Sequence, residues 1–324
     1  MSRMVASKVG IVGSGAVGTY FGVRLAEAGH DVRFLLSSRH AAPAAFSVRS
    51  RQGDFTLASP KIAREPKDLG PDLDWVLVCL KGTALSETSG NVLDELVGPA
   101  LSESTRVQML MNGLGAEDMA ATRFGAHRVH GGLVYGGLTR ESVGVARHEG
   151  VAAEIRGGSF VDDPAEIKKA EELWASVAAV QYTPQPCLLK AQWAKLAWNV
   201  PFNGLTVAGG GVHVGNIWNE ANTRDAAIGL MREVIAAANA DLERAGKADR
   251  LDSDAVVQAL SAITDNMAAA NYVPSTTTDF INNRPMEIDA IFAEPLRRAL
   301  SLAIDAPRLR LLTGLLQSLV NSSK

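Results

Sequence analysis

Two architectures in tandem are expected from the sequence: an α/β domain on a parallel sheet over residues 1–185, then an all-helical domain over residues 186–324. Three observations carry this expectation. A strand-type run, a glycine-rich turn and a helix-type run follow one another within residues 8–36, the order of a βαβ unit. Further on, "DWVLVCLK" (residues 74–81) is apolar almost without a break, as a strand covered on both faces of a parallel sheet must be. After "VQYTPQP" (residues 180–186), whose two prolines suit a link between domains, the pattern turns helical nearly to the end.

Taken in order, Lys8–Val12 reads as the first strand, residues 16–28 as a helix with Tyr20, Phe21, Val23 and Leu25 on its apolar faces, and Gly29-His30 as its stop. Residues 31–36 read as the second strand, residues 106–115 ("RVQMLMNGLG") as a strand running into a glycine turn, and residues 130–160 as strand-rich. Helices are expected over residues 187–207, 219–245, Ser253–Ala269, 287–304 and 307–320, with "VAGGGVHVGN" (residues 207–216) as a loop. The last of these helices, rich in leucine, suits a cap on the helical domain, with a homodimer face as the alternative.

Composition narrows the function. Of the 324 residues 47% are hydrophobic and 21% charged, and a net charge of −3 offers no basic field for nucleic acid. The opening "MSRMVASKVG" has no long apolar core, so no secretory leader is expected. The apolar runs fall well short of the roughly 20 residues of a membrane helix. Cys79 and Cys187 lie in apolar-leaning stretches and read as reduced core thiols, and the six histidines show no metal-ligand spacing. A metal-free cytoplasmic protein, with neither nucleic acid nor membrane as partner, is the expectation.

The turn Gly13-Ser14-Gly15-Ala16-Val17-Gly18 fits G-x-G-x-x-G between a strand and a helix. Such a turn lets a pyrophosphate approach the backbone at a helix N-terminus, so the first domain reads as a Rossmann-type dinucleotide-binding domain; a purely structural turn is the alternative. An NAD site usually places Asp or Glu at the end of the second strand, to bond the ribose 2′-hydroxyl. Here residues 36–40 read Leu36-Ser37-Ser38-Arg39-His40. With no carboxylate to repel a 2′-phosphate, and with Ser37, Ser38 and Arg39 able to bind one, the cofactor expected is NADP(H).

"AQWAKLAWNVPFNGL" (residues 191–205) puts Lys195, Asn199 and Asn203 at i, i+4 and i+8, on one side of an otherwise apolar helix. Polar groups on a buried helix are costly unless paired or facing a cleft, so this stripe is either a site or a solvated edge. Pro201, inside the stripe, is expected to kink the helix or to free the Ala197 carbonyl, whose donor it removes. A later cluster, "NYVPSTTTDFINNRPMEIDAI" (residues 271–291), holds Ser275 in a hydroxyl run and Glu287 at the start of an apolar helix. There an acid also serves simply as a complement to the helix dipole.

Together, "GSGAVG", "LVCLKG" with Lys81, "MNGLG" with Asn112, and "WAKLAWNVPFN" followed by "RPMEIDAI" resemble the ketopantoate reductase (2-dehydropantoate 2-reductase) family over nearly the whole chain. The resemblance implies a Rossmann-type domain plus a helical substrate domain, an active cleft between them, NADPH as hydride donor and a 2-keto acid as substrate. It implies Lys195 as general acid, Glu287 as the acid that binds the substrate hydroxyl, and Asn199 and Asn203 as orienting side chains. Ser275 would bind the substrate carboxylate, and Lys81 and Asn112 would lie beside the nicotinamide and its phosphates or ribose.

The chain departs from the family pattern in three places. Ser37 stands where many members carry arginine, which leaves either Arg39 as the substitute or a weaker phosphate selectivity. Gly209-Gly210-Gly211 follows the polar helix, and residues 130–150 are only loosely family-like. Reduction of another branched 2-keto acid, or an NADP-binding sensor without turnover, remain as alternative readings.

Overall fold

The structure is a computed structural model and describes residues 6–87, 91–150 and 152–322. Residues 1–5, part of the stretch on which the absence of a leader was read, and residue 151 in the strand-rich stretch lie outside the described residues. Two compact units are present. One comprises the described residues up to Asn112 together with Ala116–Leu188, the other Gly113–Gly115 together with the chain from Leu189 on.

In the first unit β1 (Lys8–Val12), α1 (Ala16–Glu27) and β2 (Asp31–Leu35) form the expected βαβ unit, with β1 and β2 parallel from Lys8↔Asp31 to Val12↔Leu35. There follow β3 (Phe46–Ser50), β4 (Phe55–Leu57), β5 (Lys61–Ala63), β6 (Trp75–Val78), α2 (Gly82–Glu87), α3 (Asn91–Leu96), β7 (Arg106–Met109) and α4 (Ala116–Phe124). The unit closes with β8 (Val129–Tyr135), β9 (Leu138–Ser142), β10 (Val145–His148), β11 (Ala153–Ser159), α5 (Pro164–Trp174) and β12 (Val180–Pro184). The main sheet runs β12-β11-β8-β7-β6-β1-β2-β5. It is parallel from β8 to β5; β11 pairs antiparallel with β8 and parallel with β12.

Strand β6 shows why the run "WVLV" has no polar face. Trp75 and Leu77 enter the core shared with Tyr20, Phe21 and Phe34, while Val76 and Val78 enter a second core with Leu93, Val107 and Met109. Apolar layers thus cover both faces of the sheet, as its parallel strands require.

The strand-rich stretch contains four strands, and they divide between two sheets. β9 and β10 leave the main sheet and join β3 and β4 in a smaller one, ordered β4-β3-β10-β9. This second sheet covers α1, which explains why that helix is buried beyond one stripe. Tyr20 meets His148 at 5.2 Å between ring centroids, and Phe34 stacks on Phe46 at 4.4 Å. Even Arg24 is 2% exposed, donating from Nη2 to the Gly53 carbonyl and from Nη1 to Glu27.

The second unit is helical: α6 (Leu188–Ala208), α7 (Val214–Trp218), α8 (Ala221–Arg244), α9 (Ser253–Ala269), α10 (Ser275–Ile281), α11 (Glu294–Ser301) and α12 (Pro307–Ser322). Its core gathers Trp193, Leu196, Val200 and Phe202 of α6 with Leu230, Met231 and Val234 of α8 and Leu309, Leu312 and Leu316 of α12. Two expectations need correction. The glycine patch is a turn only as far as His213, because Val214, Ile217 and Trp218 are apolar enough to dock a short helix. The hydroxyl run from Ser275 forms the helix α10. The expected helix over residues 287–304 is a π-helix over Asp289–Ala293 followed by α11, with Glu287 just before it.

The π turn has a visible cause. Its Ala290 carbonyl accepts the Leu114 N–H at 3.0 Å, and a Cβ on Gly113 would lie 2.3 Å from that same oxygen. The segment Gly113–Gly115 therefore takes up a carbonyl that a regular helix would use internally.

The expectation for α12 holds for one face. Leu309, Leu312 and Leu316 are buried, whereas Leu311 and Leu315 are 65% and 48% exposed. From α8, Glu233 accepts the Leu309 N–H at 2.9 Å and so caps the start of α12. Among the described residues no helix is long and apolar enough to cross a membrane.

Candidate active site

In the first unit the chemistry gathers at the carboxyl ends of four adjacent strands, β7-β6-β1-β2. β1 runs into Gly13, β2 into Ser37, β6 into Lys81 and β7 into Asn112. That edge, where the connections from the central strand diverge, is where open α/β sheets bind ligands. Neighbouring strands lie about 4.8 Å apart, so the four ends span roughly 14 Å.

The three glycines of the turn differ in what they do. Gly13 has φ +98°, and a Cβ there would lie 2.7 Å from the Cys79 carbonyl carbon and oxygen at the end of β6. On Gly18 a Cβ would lie 2.2 Å from the Gly13 oxygen and 2.9 Å from Ile11 Cγ2. These two are demanded by the fold. Gly15 is not: a Cβ there meets no protein atom within 4 Å.

Gly15 is also the N-cap of the twelve-residue α1, where no side chain caps the helix and the first turn holds no acid. The first N–H groups of α1 thus face a space that a side chain would fill, which fits a pyrophosphate. Ala16 and Val17 open the helix there, both half-buried, and the Ser14 hydroxyl donates to the Leu35 carbonyl at 2.9 Å, tying the turn to the end of β2. Cys79 behind the turn is buried, and burial pushes its thiol well above the usual range, so it is a neutral wall.

A prediction follows from the unequal glycines. Gly18→Ala is expected to cost about 1–3 kcal/mol of stability through overpacking. Gly15→Ala is expected to leave the melting temperature unchanged while weakening dinucleotide binding about tenfold or more. Thermal melts with fluorescence titration of NADPH check both, and a Gly15→Ala variant of unaltered affinity would contradict the cradle.

Ser37, Ser38 and Arg39 lie exposed in the turn after β2, where the Arg39 N–H donates to Ser37 Oγ at 3.3 Å. Sequence reading missed Arg64. This exposed residue follows β5, and its Nη1 donates to the carbonyls of Ser37 and His40. Nothing near it in sequence marks it; only the pairing of β2 with β5 brings it to that turn.

In the second unit α6 continues through Pro201 and presents Lys195, Asn199 and Asn203 on successive turns. Lys195 and Asn199 are half-buried and Asn203 is 2% exposed, so the stripe is not a solvated edge. Eight residues of helix place Lys195 about 12 Å along the axis from Asn203.

Two anchors fix the helix. Opposite the stripe, Trp193 Nε1 donates to the buried Asp241 at 3.0 Å. At the far end Thr206, close to the same face, meets Thr277 of α10 at 2.5 Å between hydroxyl oxygens, and Gly204 is closed off by Phe292 of the π-helix, whose ring would lie 2.9 Å from a Cβ. The two segments that carry Ser275 and Glu287 therefore both pack against the turn of α6 that follows Asn203.

Ser275 is exposed at the first position of α10, and Glu287 is 7% exposed just ahead of the π-helix. Burial separates Glu287 from an ordinary solvated dipole complement. Thr206 and Thr277 were not singled out from sequence, although Thr206 extends the i, i+4, i+8 stripe by three residues.

Residues 9–161 match the family model described as ketopantoate reductase PanE/ApbA, and residues 188–320 match its C-terminal counterpart. The chain is 28% identical over 312 residues to a 2-dehydropantoate 2-reductase of Nostoc sp., spanning 94% of this chain and 92% of that one. A 2-dehydropantoate 2-reductase of Geobacter metallireducens superposes with a TM-score of 0.87 at 37% identity, over 96% of this chain and 99% of its own. A D-mandelate dehydrogenase solved with NADH and anilino(oxo)acetate shares the fold at a TM-score of 0.80 and 19% identity, over 97% of this chain and 99% of its own.

Proposed function

The chain belongs to the ketopantoate reductase PanE/ApbA family, and from that premise we propose that it reduces ketopantoate (2-dehydropantoate) to pantoate with NADPH, a cytoplasmic step of pantothenate biosynthesis. The α/β unit binds the dinucleotide and the helical unit supplies the substrate-binding and catalytic side chains. One observation carries the reading: Lys195, Asn199 and Asn203 share a face of α6 whose end is braced by the segments bearing Ser275 and Glu287. A sensor without turnover gives no reason for these five residues to occur on three elements that pack together.

When bound, the reduced nicotinamide supplies the hydride. Negative charge then builds on the ketone oxygen, and the Lys195 ammonium both stabilises it and gives the proton that completes the alcohol. Glu287 accepts a hydrogen bond from the substrate hydroxyl, and a buried carboxylate does so more strongly than one in water. Asn199 and Asn203 orient the substrate through amide donors and acceptors, and the Ser275 hydroxyl donates to its carboxylate. Lys81 and Asn112, at the ends of β6 and β7, hold the nicotinamide ribose and phosphates.

The fold is shared with a D-mandelate dehydrogenase, so the assay that tests this reading compares substrates. NADPH oxidation is followed with ketopantoate, other branched 2-keto acids and an aryl 2-keto acid, with NADH as control. The highest kcat/KM is expected for ketopantoate with NADPH. A higher value for another keto acid would move the substrate assignment, and cofactor binding with no turnover on any would restore the sensor reading.

A further inference from the structure

We propose that Arg64 is the side chain that recognises the 2′-phosphate of NADP(H) in this chain; the inference rests on the cofactor reading above and deepens it. A 2′-phosphate needs a cation at the carboxyl end of the second strand, beside the adenosine ribose. The turn there, Ser37 to His40, holds no carboxylate. Its own arginine, Arg39, lies at the exposed apex, and among the described residues its guanidinium makes no hydrogen bond.

Arg64 is differently placed. β5 lies parallel to β2 with Leu35 opposite Ala63, and the Leu36 N–H donates to the Ala63 carbonyl at 3.0 Å. The next residue along, Arg64, therefore stands at the same edge as Ser37. Its Nη1 donates to the Ser37 carbonyl at 3.0 Å and to the His40 carbonyl at 2.8 Å. A guanidinium carries five N–H donors, two of them on Nη1.

Both Nη1 hydrogens are therefore committed to the loop, and among the described residues the Nε–Nη2 edge makes no hydrogen bond. That edge presents two parallel N–H groups, the arrangement that binds phosphate bidentately. Held at both ends of the loop, it is ordered before the ligand arrives, whereas Arg39 must be immobilised on binding. Ser14, bonded to the Leu35 carbonyl, ties the pyrophosphate cradle to the same strand end.

The test is the dissociation constant of NADPH and of NADH, read from nicotinamide fluorescence at low salt, for wild type, Arg64→Ala, Arg64→Lys and Arg39→Ala. Thermal melts of each variant confirm folding. Arg64→Ala is expected to weaken NADPH about 10- to 100-fold and to leave NADH within about twofold. Arg64→Lys, which keeps charge and loses the fork, should fall between, and Arg39→Ala should have the smaller effect. Equal weakening of both dinucleotides by Arg64→Ala would mean that Arg64 only holds the loop and would overturn the proposal. So would a preference that survives Arg64→Ala and disappears in Arg39→Ala. A wild type that binds neither dinucleotide, or both alike, would instead remove the NADPH assignment itself, before any variant is compared.

Discussion

Lys195→Ala is expected to lower kcat for ketopantoate reduction by about 10²–10⁴-fold, the range for loss of a general acid, with the NADPH dissociation constant within about twofold of wild type. The separation follows from where the residue lies. Lys195 is on α6 of the helical unit, whereas the dinucleotide cradle is built from β1, α1 and the strand ends of the other unit. Because Trp193 anchors the helix from its opposite face and Lys195 is only half-buried, truncation should leave the melting temperature nearly unchanged. Lys195→Arg retains charge but is a poorer proton donor, and should recover only part of the rate. Turnover of the alanine variant within about threefold of wild type would remove Lys195 from the mechanism.

The second large effect is on stability. Asp241 of α8 is fully buried and accepts from Trp193 Nε1 at 3.0 Å, Arg298 Nη1 at 3.0 Å and Arg244 Nη2 at 2.5 Å. It thereby joins α6, α8 and α11 through one carboxylate. Asp241→Ala leaves the indole N–H and the largely buried Arg298 without that acceptor, and removing one partner of a buried ion pair typically costs about 3–5 kcal/mol. Urea unfolding followed by tryptophan fluorescence should show the earlier midpoint in the transition of the helical unit. Asp241→Asn, which keeps an acceptor oxygen, should lose less. A midpoint equal to wild type would show that the charge network contributes nothing net.

Much of this was legible in the sequence where a local pattern and its tertiary use coincide. Lys8–Val12 and Ser253–Ala269 have the expected boundaries, because an apolar strand entering a glycine turn and a helix opening after the Asp252 cap are local signals. The spacing of Lys195, Asn199 and Asn203 places them on one face whatever surrounds the helix. The smaller sheet was not legible. β3, β4, β9 and β10 are short, half-exposed strands drawn from two distant stretches, and their pairing depends on α1 lying beneath them. The π-helix was hidden too, since its cause is a single N–H from Leu114, far away in the chain. Arg64 shows the same limit at the candidate site. Its neighbours in sequence, Ala63 and Glu65, give no hint, and its position depends on the pairing of β5 with β2. Glu287 lies between these cases: the residue stood out, but its burial could not be read from an apolar helix start.

The most direct measurement of the central claim is hydride tracing. The chain is incubated with ketopantoate and NADPH dideuterated at C4 of the nicotinamide, and the product is analysed by mass spectrometry. Transfer to the keto carbon places one deuterium on C2 of pantoate for each NADPH consumed, which is the expected result. NADPH consumed without deuterated pantoate, or no consumption by a chain that still binds NADPH, would contradict the account.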